Sequence, residues 1–179
     1  MPKEEIVVGT FQNVSGSFIV SDPCYAIGNV YIQGQLENVQ IGDWVAEVIK
    51  LVEEDGDEAI AEITAKHVSI NSGDNIDIDW NKCKYVIGVD SGQAGIFDRQ
   101  YYNCDEHSKE SQESNNDFGE SDWYYLCCDI TESDELAGVI PYGVVTRSGY
   151  GDGAYEYFIN INNDKKINAI KIVFIGGKQ

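Results

Sequence analysis

At 179 residues, with 42% of them hydrophobic, the chain is long enough for one domain with its own core and too apolar for a disordered acidic polymer. Thirty-one acids against twelve bases give a net charge of −19 and a pI near 4.2. Such a field repels nucleic acid and anionic membrane and attracts cations or basic proteins, which excludes direct nucleic-acid binding and membrane association as expectations.

The charge is uneven. Residues 136–179 hold three acids against five bases, so the first 135 residues carry −21. No window approaches the roughly 18 uninterrupted apolar residues of a membrane span. "MPKEEIVVGTF" lacks the basic start and apolar core of a signal peptide, and the expected compartment is the cytoplasm. The five cysteines, Cys24, Cys83, Cys104, Cys127 and Cys128, are odd in number and contain no C-x-x-C. They read as free, mostly buried thiols, with neither a zinc site nor a disulfide framework, and no cofactor is expected.

In chain order, "EIVVGTF" and "SFIVSDPCY" are short β-branched runs joined by "QNVSG", a predicted hairpin connection, and Pro23 ends the second run. "DWVAEVIKLV" and "EAIAEITAKHVSI" alternate with period two around "EEDGDE", whose Asp-Gly predicts a hairpin with an acidic tip. "KYVIGVDSGQAGIFD" reads as a buried strand, a glycine turn and a second short strand. Residues 105–122, "DEHSKESQESNNDFGESD", contain no aliphatic residue and predict an exposed acidic loop. "WYYLCCDIT" resumes the strand pattern and "GVIPYGVVTRSG" gives another strand. "AYEYFINI", "NNDKK" and "INAIKIVFI" form a closing hairpin over residues 154–175. Nine or ten strands, no confident long helix and no repeat at a fixed period predict a single mainly-β domain over 1–179. Its architecture is an antiparallel sandwich or rolled sheet with a long acidic loop insertion.

The candidate turn sites share a style. In "SGYGDGAYEYF", Gly149, Gly151 and Gly153 permit positive φ, and Asp152 can cap backbone N–H groups two residues on. A tight turn alone accounts for this; alternatively, the glycines bring Asp152 and Tyr155 close to a ligand. "SDPCY" places Asp22 before a proline, and "GVDSGQAGIFD" puts Asp90 at a strand end, followed by Gly92 and, further on, Asp98. The pair "GVDSGQAGIFD" and "GYGDGAYEYFININNDKKINAIKIVFI" resembles a family of bacterial proteins known only as a domain of unknown function. That family carries a V-D-[AS]-G turn and a late G-D-G-[SA]-Y turn followed by two strands. The likeness covers the latter half of the chain, with "SDPCY" a weaker match. It implies that Asp90, Gly92, Asp152, Gly153 and Tyr155 matter to the domain, and it implies no activity.

Three functions follow as expectations. The first is a non-enzymatic binding protein whose acidic surface engages a basic protein, singled out as a nucleic-acid-handling enzyme. An inhibitor of the anti-restriction or anti-CRISPR type would occupy the nucleic-acid channel as a DNA mimic, since carboxylates at i and i+2 of a strand stand about 6.8 Å apart, close to neighbouring phosphates. Glu110, Glu113, Asp117, Glu120 and Asp122 are the expected contact acids, with Trp123 and Tyr124 as apolar anchors or, alternatively, as core residues. The second is a calcium- or small-ligand-binding domain using the Asp90 and Asp152 turns, with Asp74, Asp77 and Asp79 in "NSGDNIDIDW" as weaker metal candidates; none matches the D-x-[DN]-x-[DN]-G loop. The third is a hydrolase with Asp22, Asp90 and Asp152 converging at one end of a sandwich. The chain's two histidines, His67 and His107, stand at no catalytic spacing and no nucleophile-elbow motif is present, so no catalytic residue is assigned.

Overall fold

The structure, a computed structural model, describes residues 2–70, 78–104 and 121–176. In chain order the strands are β1 (Lys3–Asn13), β2 (Phe18–Ser21), β3 (Gly34–Leu36), β4 (Gly42–Val52), β5 (Glu58–His67), β6 (Asn81–Val89), β7 (Gln93–Asp98), β8 (Ala137–Ile140), β9 (Gly143–Arg147), β10 (Gly153–Ile161) and β11 (Ile167–Val173). A 3₁₀ turn covers Arg99–Tyr101, and one helix, α1, covers Asp122–Thr131. The six-stranded sheet runs β1-β4-β5-β11-β10-β6 and the five-stranded sheet β3-β2-β7-β9-β8. Every strand pairing is antiparallel, so the fold is the expected open β sandwich.

The core between the sheets is built from alternate residues of both: Phe11, Trp44, Ile60, Ile63, Ile87, Ile170 and Ile172 from one, Phe18, Val20, Ile96 and Val144 from the other. The smaller sheet is covered on its second face as well. There Ile19, Phe97, Ile140 and Val145 meet Tyr102, Trp123 and Cys127 beneath α1. Burial on both faces explains why β2 and β7 read as continuous apolar runs and not as alternating ones.

Four sequence expectations need correction. "WYYLCCDIT" is not a strand but α1: the Ser121 hydroxyl caps its start by accepting from Tyr124 N at 3.1 Å, and Trp123, Cys127 and Thr131 recur at i, i+4 and i+8 on its buried face. The loop expected to extend to Asp122 therefore ends before Ser121, and its residues 105–120 lie outside the described ones. β1 and β2 do not form a hairpin; they belong to different sheets, and residues 14–17 carry the chain across the sandwich. "GVIPYGVVTRSG" is two strands, β8 and β9, closing over Pro141–Tyr142.

The two halves of the sandwich repeat one another, although no fixed period betrays it. β1 and β6 are the two edges of the larger sheet. Each leads through a Ser-Gly corner, Ser15-Gly16 or Ser91-Gly92, into the smaller sheet as β2 or β7, which pair side by side. Each half then adds a neighbouring strand (β3 or β9) and closes with a long hairpin (β4–β5 or β10–β11) in the larger sheet. Even the hairpin tips match. Glu53 N donates to Asp57 O and Gly56 N to Glu53 O; at the other tip Asn162 N donates to Lys166 O and Lys165 N to Asn162 O. Positive φ falls at Gly56 (92°) and, correspondingly, at Lys165 (61°). The halves differ in one connection: residues 23–33 link Asp22 to β3, while residues 99–142, with α1 and β8, link Asp98 to β9.

Candidate interaction surface

Asp22, Asp90 and Asp152 do converge, around the corner at residues 90–92. Asp22 is fully buried, and its carboxylate accepts four hydrogen bonds. Oδ2 receives Asp90 N (2.8 Å) and Ser91 N (2.7 Å); Oδ1 receives the Ser91 hydroxyl (2.6 Å) and Cys24 N (2.8 Å). A buried carboxylate is tolerable only when its lone pairs are occupied, and here they are. Asp152 sits in the glycine loop after β9 and accepts Gly92 N at 2.9 Å. The Tyr155 hydroxyl ties the same loop by donating to Gly151 O at 2.5 Å. Gly92 has φ +69°, which is why a glycine follows Ser91. Gly153 opens β10 opposite Val89, placing the loop beside the corner. Asp90 itself is exposed and accepts from the Tyr25 hydroxyl.

Asp98 is a fully buried counterpart of Asp22. Its Oδ2 receives Val14 N (2.7 Å) and Ser15 N (3.1 Å), and its Oδ1 the Ser15 hydroxyl (2.5 Å) and Gln100 N (2.9 Å). The pattern matches that of Asp22 donor for donor. The signal for it was in the sequence: Ser-Gly, five residues, then Asp occurs as "SGSFIVSD" and again as "SGQAGIFD". Each aspartate grips the corner of the other half, so both intersheet crossings are bracketed by carboxylates from across the repeat.

These brackets leave little for chemistry. The Cys24 thiol beside Asp22 is pushed upward, first by burial and then by the Asp22 charge, so it stays protonated at neutral pH and is a poor nucleophile. Burial also raises Tyr25, with its bond to Asp90 adding to the effect, and pushes Tyr124 up to about 12 alongside Cys128. His67 is buried in β5, where Nε2 donates to Ile41 O (2.9 Å) and Nδ1 accepts from Ser69 N (3.0 Å). That is a structural histidine; His107 lies outside the described residues. Among the described residues no group of three or more His, Cys, Asp or Glu side chains is placed to hold a metal ion. Asp79 is exposed, and Asp74 and Asp77 lie outside the described residues.

The acids gather at the same end of the sandwich. The β4–β5 tip carries Glu53, Glu54, Asp55, Asp57 and Glu58, which with Ala59, Arg147, Gly149 and Tyr150 line an open groove of about 840 Å³. The Tyr150 hydroxyl donates to Glu53 Oε1 at 2.6 Å, joining the Gly-rich loop to the acidic tip. Asp90 and Asp152 lie beside it, and Glu132, Asp134 and Glu135, all exposed, follow α1 into β8. Lys50, bridged to Glu58 at 3.2 Å, and Arg147, whose Nε donates to Thr131 O at 3.0 Å, offset part of this charge. The equivalent groove of the other half, about 590 Å³, is lined by Ser15–Ser17, residues 37–41 and the tip residues Asn162, Asp164 and Lys166. One scaffold thus carries two tips, "EEDGD" and "NNDKK", of opposite electrostatic character.

The expected contact residues divide. Glu110, Glu113, Asp117 and Glu120 lie outside the described residues. Asp122 is exposed in the first turn of α1. Trp123 is no anchor: it is 7% exposed and packs edge-on to Phe97 with ring centroids 4.9 Å apart. Tyr124 is half-buried beside the Ser91 corner, while the neighbouring Tyr125 and Leu126, which the sequence alone does not single out, face outward. Among the described residues no helix is long and apolar enough to cross a membrane.

Residues 11–172 match the model of a family described as protein of unknown function (DUF4241), a span reaching well beyond the latter half that carries the V-D-S-G and G-D-G-A-Y turns. No curated protein and no solved structure matches the chain.

Proposed function

We propose that this chain, which belongs to the DUF4241 family, is a non-enzymatic binding protein whose acidic end engages a basic protein surface. The observation that carries the reading is the divergence of the two hairpin tips. The same five-residue turn, with the same backbone hydrogen bonds, is built from "NNDKK" in one half, so the backbone turn does not require four acids in the "EEDGD" of the other, where Asp55 accepts from Asp57 N and Glu53 from the Tyr150 hydroxyl. Like charges crowded on one tip cost stability through repulsion, and a sequence that keeps them uses the field. Solubility is served by acids spread anywhere; a groove with five carboxylates along its wall, beside the Gly149–Tyr150 loop, concentrates potential in one place.

The partner is a basic protein, with a nucleic-acid-handling enzyme as the specific candidate: a channel that holds nucleic acid is lined by Lys and Arg, and carboxylates on a rigid β scaffold present charge at phosphate-like intervals of about 6.8 Å. Inhibition of the anti-restriction or anti-CRISPR kind is the form this would take. Calcium or a small ligand at the Asp90 and Asp152 turns is less favoured, because Asp22 spends all its acceptors on the corner and Asp152 spends one on Gly92.

The test is displacement of DNA or guide RNA from candidate nucleases at low and moderate salt, comparing the native chain with the triple variant Glu53→Lys, Glu54→Lys, Asp55→Lys. Salt-sensitive displacement lost in the variant, while it still melts cooperatively as a folded chain, is the expected result. Displacement that survives the reversal and ignores salt refutes the reading.

A further inference from the structure

We infer that the outward face of α1 is the apolar anchor of this acidic end and takes a basic segment of the partner protein in which a bulky apolar side chain stands between Lys or Arg residues. The inference rests on the acidic-binding reading and adds where the specificity lies.

α1 buries Trp123, Cys127 and Thr131, and turns Asp122, Tyr125, Leu126, Asp129 and Glu132 to solvent. Tyr125 is 54% and Leu126 44% exposed. Spacing on the helix sets the pattern. Tyr125 lies three residues from Asp122 and four from Asp129, and Leu126 lies four from Asp122 and three from Asp129, so each apolar position neighbours both acids on the helix surface. Asp122 and Asp129 are seven residues apart, about 10.5 Å along the axis. The row continues through Glu132, Asp134 and Glu135 toward the acidic groove. Apolar side chains ringed by acids are complementary to apolar side chains ringed by bases: the charges steer and the desolvated aromatic holds.

Charge also decides among occupants. A second copy of the chain would bring Asp122, Asp129 and Glu132 against themselves. The segment 105–120 carries Asp105, Glu106, Glu110, Glu113, Asp117 and Glu120 against Lys109, so its charge has the same sign as that of the face and is not complementary to it. The helix belongs to the connection that the first half lacks: residues 23–33 suffice there, where 99–142 are used here. The repeated scaffold therefore does not explain the outward side chains.

The experiment uses the full chain and two synthetic peptides of equal length and charge, one of Lys alternating with Leu and one of Lys alternating with Ser. Calorimetry is run at low and moderate salt on the native chain, on Tyr125→Ser/Leu126→Ser, and on the triple Lys variant of the hairpin tip. We expect the native chain to prefer the Leu peptide by roughly tenfold, the helix variant to lose that preference while keeping salt-dependent binding, and the tip variant to weaken both peptides alike. Equal binding of the two peptides by the native chain overturns the inference and leaves the acidic reading standing; binding of neither overturns both. A native dimer that the helix variant dissolves assigns the face to a second copy. A melting temperature that drops by several degrees in the helix variant assigns it to the chain itself. Either result overturns the inference.

Discussion

Replacing Asp22 with alanine should cost more stability than any change on the acidic surface. The substitution strips the acceptors from Asp90 N, Ser91 N, Cys24 N and the Ser91 hydroxyl at a point with no solvent exposure. Hydrogen bonds to a charged group contribute about 1.5–3 kcal/mol each, and a buried donor left unpaired costs about 1–3 kcal/mol. Four such donors cannot all fail independently, because the corner relaxes and water enters; about 4–6 kcal/mol is the working figure. That rivals the whole stability of many domains, roughly 5–15 kcal/mol, so Ser91→Ala is the companion variant. It removes one of the four bonds and should cost about 1–2 kcal/mol. Urea unfolding followed by tryptophan fluorescence measures both, and the double variant should cost clearly less than the sum because the residues share a bond. Asp22→Ala losing under about 1 kcal/mol, or strict additivity with Ser91→Ala, would refute the bracket.

Stability should fall as pH rises from about 10 to 12: Tyr124 ionises near 10 when unfolded and only about 12 when folded, so the unfolded chain releases its proton first, and the contribution is complete below pH 10. Tyr124→Phe should flatten part of that loss in melting temperatures measured across this window, Tyr25, Tyr102, Tyr157 and the thiols of Cys24 and Cys127, all raised by burial, contributing to the remainder. Cys24 and Cys127, both buried with raised pKa values, should resist a thiol-reactive disulfide at neutral pH and react only on denaturation, read by counting labelled sites by mass spectrometry. Gly95→Ala should lose about 3 kcal/mol in urea, because a Cβ there would lie 2.4 Å from Val144 O and 2.3 Å from Phe97 Cζ; a loss under about 1 kcal/mol would mean that β7 and β9 yield.

The long hairpins were readable because β4–β5 and β10–β11 each alternate with period two around a polar turn, a signal confined to neighbouring residues. The style shared by Asp22, Asp90 and Asp152 was readable for the same reason: each sits at a local breaker, Pro23, Gly92 or Gly153. α1 was not, because "DWYYLCCDIT" is apolar at six consecutive positions, from Trp123 to Cys128, and fits either period; only Ser121 marks a helix start, and a serine is common in loops too. The crossing after β1 read as a hairpin because a Ser-Gly corner inside a sheet and one between sheets use the same residues; which it is depends on Asp98, 83 and 84 positions away from the residues it holds. Tyr125 and Leu126 gained their meaning only once the helix had turned Trp123 inward.

The reciprocal brackets also bear on how the chain comes to fold. Asp22 reaches its partners 68 and 69 residues ahead, and Asp98 reaches back 83 and 84. Neither half can complete its own corner; each lends its aspartate to the other, as domain-swapped protomers exchange a strand. A nascent chain that has made only its first half holds an unanswered carboxylate at Asp22 and an unheld corner at Ser15. Contacts this distant in sequence set a high loop-closure cost before any reward, so folding should be slow and should complete only after synthesis has passed Asp98. Because each bracket joins the two halves, the two corners should lose their hydrogen-exchange protection together, the molecule opening as one unit.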